Sequence, residues 1–189
     1  YNEYDSEGRV IKQYEFNPDK DAVGQKRLVY ELVYEGSNAG APGSTHCTFV
    51  KNYRDVTNFY SERVCFDLDE LKIYRQDGEG NVQRWTYDGS GLVVTYTDQN
   101  GSITQYQYDS KRRKTLEILP DAGSQHTEIS YSYENSFNRL IQETMISGAL
   151  SVATVYTVDS ANGNVLEIID PLNKKEIFTY DSSGNVKTY

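Results

Sequence analysis

A chain of 189 residues is long enough for one domain with a buried core, since a chain of that size buries about 70% of the surface its unfolded form exposes. Nineteen Lys and Arg against twenty-eight Asp and Glu leave a formal net charge of −9, which argues against nucleic acid as a partner, because phosphate-backbone affinity rests on clustered positive charge. Seventeen tyrosines stand against one tryptophan, one methionine and six phenylalanines, so the apolar bulk is carried by rings that end in a hydroxyl and suit half-buried sheet faces.

In chain order, the first recognisable unit is Tyr4-Asp5-Ser6-Glu7-Gly8-Arg9-Val10, where a strand-ending Tyr precedes an Asp and a Gly spaced for a tight turn. The pattern is then less regular as far as residue 76. Residues 17–24 and 35–43 read as longer loops around a strand over 28–34, and 45–51, 57–66 and 71–75 are further strand candidates. Cys47 and Cys65 are the only cysteines, too few for a disulfide framework and without the paired spacing of a zinc site. One bridge in an exported protein and two semi-buried thiols on neighbouring strands both fit the sequence.

From Asp77 the repeat becomes sharp. Asp77, Asp88, Asp98 and Asp109 open turns at intervals of eleven, ten and eleven residues. The register loosens through 120–123, 133–138 and 147–148, then recovers at Asp159, Asp170 and Asp181. Between turns lie runs of about six residues alternating with period two, such as Trp85-Thr86-Tyr87, Tyr106-Gln107-Tyr108 and Ile177-Phe178-Thr179-Tyr180, which predict half-buried strands of successive hairpins. A repeat of about eleven leaves room for one strand and one turn, and no helical stripe is present. We therefore expect a single array over 1–189, with degenerate repeats and longer loops over 11–76 and regular repeats of about eleven residues over 77–189.

The turn residues have a physical rationale. An Asp at the first position accepts backbone N–H groups two or more residues on, while Gly or Asn later in the turn adopts positive φ. The expected turn and strand-end positions are Tyr4, Asp5, Gly8, Tyr87, Asp88, Gly91, Asp98, Gly101, Tyr108, Asp109, Asp159, Gly163, Asp170, Tyr180, Asp181 and Gly184. The Tyr before each Asp is expected to end its strand and cover the turn.

The units at Tyr4-Asp5, Tyr87-Asp88 and Tyr180-Asp181 resemble the YDxxGR and YDxxGN units of RHS/YD-repeat proteins, and their alternation with turns lacking the leading Tyr, at Asp98 and Asp170, is similar to that family too. The resemblance implies an all-β fold of tandem antiparallel β-hairpins forming a coiled ribbon or spiral, a segment of a YD-repeat shell. It implies a non-catalytic structural wall that encloses and helps deliver a toxin domain, secreted or at the cell surface. The remaining repeats or an enclosed toxin domain of a parent chain are the implied partners. The start at Tyr1 and the end one strand after a turn fit a piece of such a parent. The alternative is a cell-surface adhesin or carbohydrate-binding β-repeat module, with a surface glycan or protein as partner and Trp85, Tyr87, Tyr106 and Tyr108 as candidate stacking rings.

Other chemistry finds little support. His46 and His126 are the only histidines, no glycine loop precedes a helix, and turns with one Asp each offer too few oxygens for calcium, so no metal, cofactor or catalytic residue is assigned. Asp170-Pro171-Leu172-Asn173 resembles half of the DPxG-type self-cleavage motif of some RHS proteins, with Asn where Gly is expected, and reads as an ordinary turn. Asn100-Gly101-Ser102 matches a glycosylation acceptor but reads as a hairpin turn pair, and the basic run 111–114 as a solvated face. No apolar run is long enough to span a bilayer.

Overall fold

The computed structural model describes residues 1–15, 27–37, 41–54 and 58–188. The loop expected over 17–24 lies outside them, as do residues 38–40 of the loop expected over 35–43 and Thr57 at the start of an expected strand. The chain divides into two compact units, Tyr1–Ser102 and Ile103–Tyr189.

The first unit is an antiparallel meander of eight strands. These are β1 (Asn2–Tyr4), β2 (Val10–Glu15), β3 (Arg27–Glu35), β4 (His46–Tyr53), β5 (Phe59–Phe66), β6 (Lys72–Asp77), β7 (Val82–Tyr87) and β8 (Val93–Thr97). Each pairs with its neighbour in sequence. The second unit continues the same plan with β9 (Ile103–Tyr108), β10 (Lys114–Ala122), β11 (Gln125–Tyr133), β12 (Leu140–Ser147), β13 (Leu150–Val158), β14 (Val165–Ile169) and β15 (Lys175–Ile177), and closes with the two-stranded pair β16 (Thr179–Tyr180) and β17 (Val186–Thr188). No helix occurs among the described residues, and the architecture is all-β, built of consecutive antiparallel hairpins.

Alternation sorts the side chains by face. In the second unit the register places Tyr106, Glu117, Ile129, Glu143 and Val152 on one face, all half-buried, and Gln105, Ile118, Glu128, Ile146 and Ser151 on the other. Such a layer buries little completely. Most of the buried positions among the described residues lie in the first unit, where Ala41, Cys47, Cys65 and Tyr74 pack together with Ile73 and Val82 against them.

Cys47 and Cys65 face each other across β4 and β5 and form a disulfide with Cα atoms 4.0 Å apart. The bridge is fully buried, and Ser44, held by hydrogen bonds from its N–H and hydroxyl to the Ala41 carbonyl, lies over it with its Oγ 3.7 Å from Cys47 Sγ. The sequence left the thiol and the bridge open; the direct cross-strand register makes it a bridge.

Candidate functional site

The recurring feature is the Asp turn, and its geometry repeats closely. At Asp5, Asp67, Asp77, Asp88, Asp98, Asp109, Asp170 and Asp181 the Asp N–H bonds the carbonyl four residues on, and its own carbonyl accepts the N–H three residues on at 2.9–3.3 Å. Its Oδ1 accepts two more backbone N–H groups, from the second and fourth residues after it. At Asp88 these come from Ser90 at 2.8 Å and Leu92 at 3.0 Å, at Asp98 from Asn100 and Ser102, and at Asp170 from Leu172 and Lys174. A carboxylate one methylene from the backbone reaches all of these groups, which would otherwise lack partners inside so tight a reversal.

The fourth turn residue is left-handed. Glycine fills it at Gly8, Gly80, Gly91, Gly101 and Gly184, with φ from 77° to 90°, while Glu70, Arg112 and Asn173 take it at 60–66°. The fifth residue uses the second carboxylate oxygen. Arg9 Nε donates to Asp5 Oδ2 and Arg113 Nε to Asp109 Oδ2, each at 2.7 Å; Asn81 and Asn185 do the same through Nδ2 to Asp77 and Asp181 at 3.0 and 3.1 Å. This is the physical content of an Arg or Asn after the Gly.

These contacts hold several turn carboxyls below the usual aspartate range. The backbone bond from Arg9 is the largest cause at Asp5, that from Arg113 at Asp109 and that from Asn185 at Asp181, and the Asn81 side chain is the largest at Asp77.

Two turns are one residue longer. At 134–139 Glu134 replaces the Asp, and its longer side chain accepts from the N–H groups of Ser136, Phe137 and Arg139. At 159–164 Asp159 caps Ala161, and Asn162 Oδ1 takes the N–H of Asn164. Gly163 lies against Phe137 of the neighbouring turn, where a Cβ would stand 2.7 Å from the ring.

A second device accompanies the turns at one end of each meander. The outgoing strand there carries a β-bulge at its second residue: Ile11, Ile73 and Val94 in the first unit and Thr115, Ile141, Leu166 and Lys187 in the second are skipped by the pairing register. At Ile11, Ile73, Thr115 and Leu166 the carbonyl just before the bulge receives a tyrosine hydroxyl from the next turn region at the same end. Tyr34 donates to Val10 O at 2.9 Å, and Tyr87 to Lys72 O, Tyr133 to Lys114 O and Tyr180 to Val165 O, each at 2.7 Å. The guanidinium at the fifth turn position also packs on the clasping ring, Arg9 over Tyr34 at 4.3 Å and Arg113 over Tyr133 at 4.7 Å.

The alternation seen in the sequence follows from this arrangement. Turns at the bulged ends are led by Tyr4, Phe66 and Tyr87 in the first unit and by Tyr108, Tyr133 and Tyr180 in the second, with Val158 the exception. Those led by Gln76 and Ile169 sit at the opposite ends and join strands in unshifted register.

The basic run 111–114 is a surface only in part. Lys111 Nζ donates to Asn135 O and Asn138 Oδ1, Arg113 reaches Glu134 O and Asn138 Oδ1, and Lys114 pairs with Glu117 under the Tyr131 ring. These bonds tie turn 109–113 to turn 134–139, a role that a solvated face does not describe.

The candidate stacking rings fall into different places. Trp85 and Tyr87 share the wall of a cleft of about 430 Å³ in the first unit, together with Pro42, Asp69, Leu71 and Arg84. Lys72 Nζ lies 3.9 Å from the centroid of the Trp85 ring, and Tyr96 is tilted against it at 5.4 Å. Tyr106 and Tyr108 belong to β9 in the second unit, where Lys114 Nζ approaches the Tyr106 ring at 5.8 Å. Among the described residues, no three His, Cys, Asp or Glu side chains are grouped for a metal ion, and no helix is long and apolar enough to cross a membrane.

Carboxylate-capped turns, bulges and tyrosine clasps repeated along a meander define a β-hairpin repeat protein. Residues 87–124 match the RHS repeat family. The fold is shared with crystal structures of TcdB2-TccC3-TEV (TM-score 0.58, 17% identity), TcdB2-TccC3-Cdc42 (0.55, 17%) and TcdB2-TccC3 without its hypervariable C-terminal region (0.58, 18%). Each likeness covers 98% of this chain but only 11–12% of the other, so the chain spans about a ninth of the proteins it resembles. A comparison with curated proteins returns no match.

Proposed function

We propose that the chain is a non-catalytic wall segment of an RHS/YD-repeat β shell that encloses and helps deliver a toxin domain. The observation that carries this reading is the chemistry of the repeat itself. The turn carboxylates spend their oxygens on backbone amides, and the clasping tyrosines spend their hydroxyls on carbonyls, so the residues that recur are consumed in holding hairpin to hairpin. A meander paired only in sequence order is extended by adding hairpins, as a long wall requires. The fold likeness to a ninth of each TcdB2-TccC3 chain supports the same reading.

The partners in this reading are further repeats and an enclosed toxin domain of the parent chain. A secreted or cell-surface location goes with it, supported by the buried Cys47–Cys65 bridge, since disulfides persist in oxidising compartments. The test is the length and content of the reading frame that encodes these residues. The proposal expects many further Tyr-Asp hairpins and a C-terminal domain of different composition; a frame ending with these residues and lacking further repeats would overturn it.

A further inference from the structure

In the second unit the hairpin of β12 and β13 outruns the strand beside it. β13 pairs with β12 from Leu150 to Val155, but with β14 only from Val155 to Val158, because the turn at Asp170 sends the chain back into β15. Residues Leu150–Thr154 are therefore paired on one side alone. Asp159 bonds across to Asn164, and successive residues of an antiparallel strand bond to alternate neighbours, so Thr157, Val155, Ala153 and Ser151 direct their N–H and C=O groups toward the β14 side. The bond from Gly148 N–H to His126 O in β11 gives the same parity from the other end. Ser151 and Ala153 thus present backbone donors and acceptors that no strand among the described residues meets.

Edges of this kind are ordinarily guarded by charge, proline or a covering segment. Where β10 outruns β9 the strand carries Pro120 and Asp121. Where β5 outruns β6 the turn after Asp77 lies over it, with Gly78 so close that a Cβ would stand 2.8 Å from Ser61 Oγ. The β13 edge has no such guard. Residues 144–158 contain no Asp, Glu, Lys, Arg, His or Pro, in a chain of which 25% is charged, and Leu150 at the tip is 54% exposed. Leu150, Val152 and Thr154 alternate with the small Ser151 and Ala153, a sequence suited to a strand.

We infer that this edge pairs two copies of the chain, β13 against β13, antiparallel about a two-fold axis at Val152. In that register Ser151 of each copy faces Ala153 of the other, and each such pair exchanges both N–H···O=C bonds, so the outward groups are all met. Leu150 faces Thr154, and no like charges are opposed, which matters in a chain of net charge −9. The length of the edge sets the register. A centre nearer Val155 drives each hairpin tip into the other copy's turn at Asp170, and one nearer Leu150 leaves Ala153 opposite the turn at 148–149. A two-fold pairing closes on itself, so association stops at the dimer. The inference does not depend on the shell reading, since the edge belongs to this segment whatever assembly carries it.

So short an edge makes a small contact, and the expected dissociation constant is on the order of 100 μM. Sedimentation equilibrium of the chain from about 10 μM to about 1 mM is expected to show monomer and dimer and nothing larger. Ala153→Pro removes an outward donor without touching the bonds to β12, and Ser151→Lys, at an exposed position, sets a charge on the edge. With far-ultraviolet circular dichroism unchanged, each is expected to weaken the dimer at least about tenfold. Val152→Cys tests the register, because that residue meets its own copy across the axis and should cross-link under mild oxidation. Ser151→Cys and Ala153→Cys, each facing a different residue, should not. A chain that stays monomeric at about 1 mM would give the edge to a different partner and overturn the inference. Growth beyond the dimer, an unweakened dimer in either variant, or cross-linking through Ser151→Cys in preference to Val152→Cys would overturn it as well.

Discussion

The Tyr87 hydroxyl donates a 2.7 Å hydrogen bond to the carbonyl of Lys72, the residue that enters β6 just ahead of the bulge at Ile73. It thereby links the turn after β7 to the turn before β6, two hairpin connections that lie side by side at one end of the meander. The same link recurs between Tyr133 and Lys114 and between Tyr180 and Val165. In a layer with few fully buried side chains, these bonds fix the spacing of neighbouring turns. Burial holds the Tyr87 and Tyr133 phenols above their ordinary value of 10.0, in the protonated form that a donor must have.

Removing the hydroxyl therefore leaves a carbonyl without its donor. Tyr87→Phe and Tyr133→Phe are each expected to lower the unfolding free energy by about 1–2 kcal/mol in urea denaturation. Tyr4→Phe is the control, because that ring is 58% exposed and clasps no carbonyl among the described residues. Equal effects at all three positions would show that the hydroxyl-to-carbonyl bonds do not hold neighbouring turns together.

The pH dependence has two limbs. The lowered carboxyls of Asp5, Asp77, Asp109 and Asp181 contribute stability that is present above the ordinary aspartate value of 3.8 and is lost as pH falls through their folded values. The raised phenols of Tyr87 and Tyr133 contribute stability that is present below 10.0 and is lost as pH rises through their folded values. Thermal melting across pH should show a plateau between these limits. In Asp77→Asn with Asp109→Asn the acid limb should flatten, and in Tyr87→Phe the alkaline limb.

The left-handed turn position separates strain from packing. Gly91 has φ of 77° and a Cβ there would make only an ordinary 3.7 Å contact with Leu71, so Gly91→Ala should cost about 1 kcal/mol. Gly163→Ala adds a Cβ 2.7 Å from the Phe137 ring to the same backbone strain and should cost clearly more. Arg112→Gly relieves a φ of 66° at an exposed position and should be neutral or stabilising by up to about 0.5 kcal/mol. Denaturant midpoints of the three variants give the ranking directly.

The Cys47–Cys65 bridge closes a sequence separation of 18 residues, which corresponds to about 3 kcal/mol of stabilisation. Replacing both cysteines with serine should lower the unfolding free energy by that order. Because the sulfurs are fully buried, thiol counting by mass should find the bridge intact after native treatment with dithiothreitol and reduced after the same treatment in denaturant.

Hairpins, turns and the alternating Tyr were legible in the sequence because an Asp and a Gly at fixed spacing act locally. The turn at Asp67 escaped as a copy of the unit because Phe66 leads it and Glu70 takes its left-handed place, so both marks are missing. Glu134 escaped because a longer side chain caps a longer turn. The bulges had no local signature, since one skipped residue reads as ordinary variation in strand length. Tyr87 and Lys72 stand 15 residues apart across a hairpin, so their bond became visible only once the register was known. The stacking rings were chosen by type, and the register divided them between β7, where Trp85 and Tyr87 meet a cleft, and β9.

The most direct measurement is electron cryomicroscopy of the full polypeptide that carries these residues. A shell wall segment should appear there as a continuous wall of antiparallel hairpins around a closed cavity, with the Tyr34, Tyr87, Tyr133 and Tyr180 rings seated on carbonyls just before the bulges. A map showing these hairpins as an isolated layer that encloses nothing would contradict it.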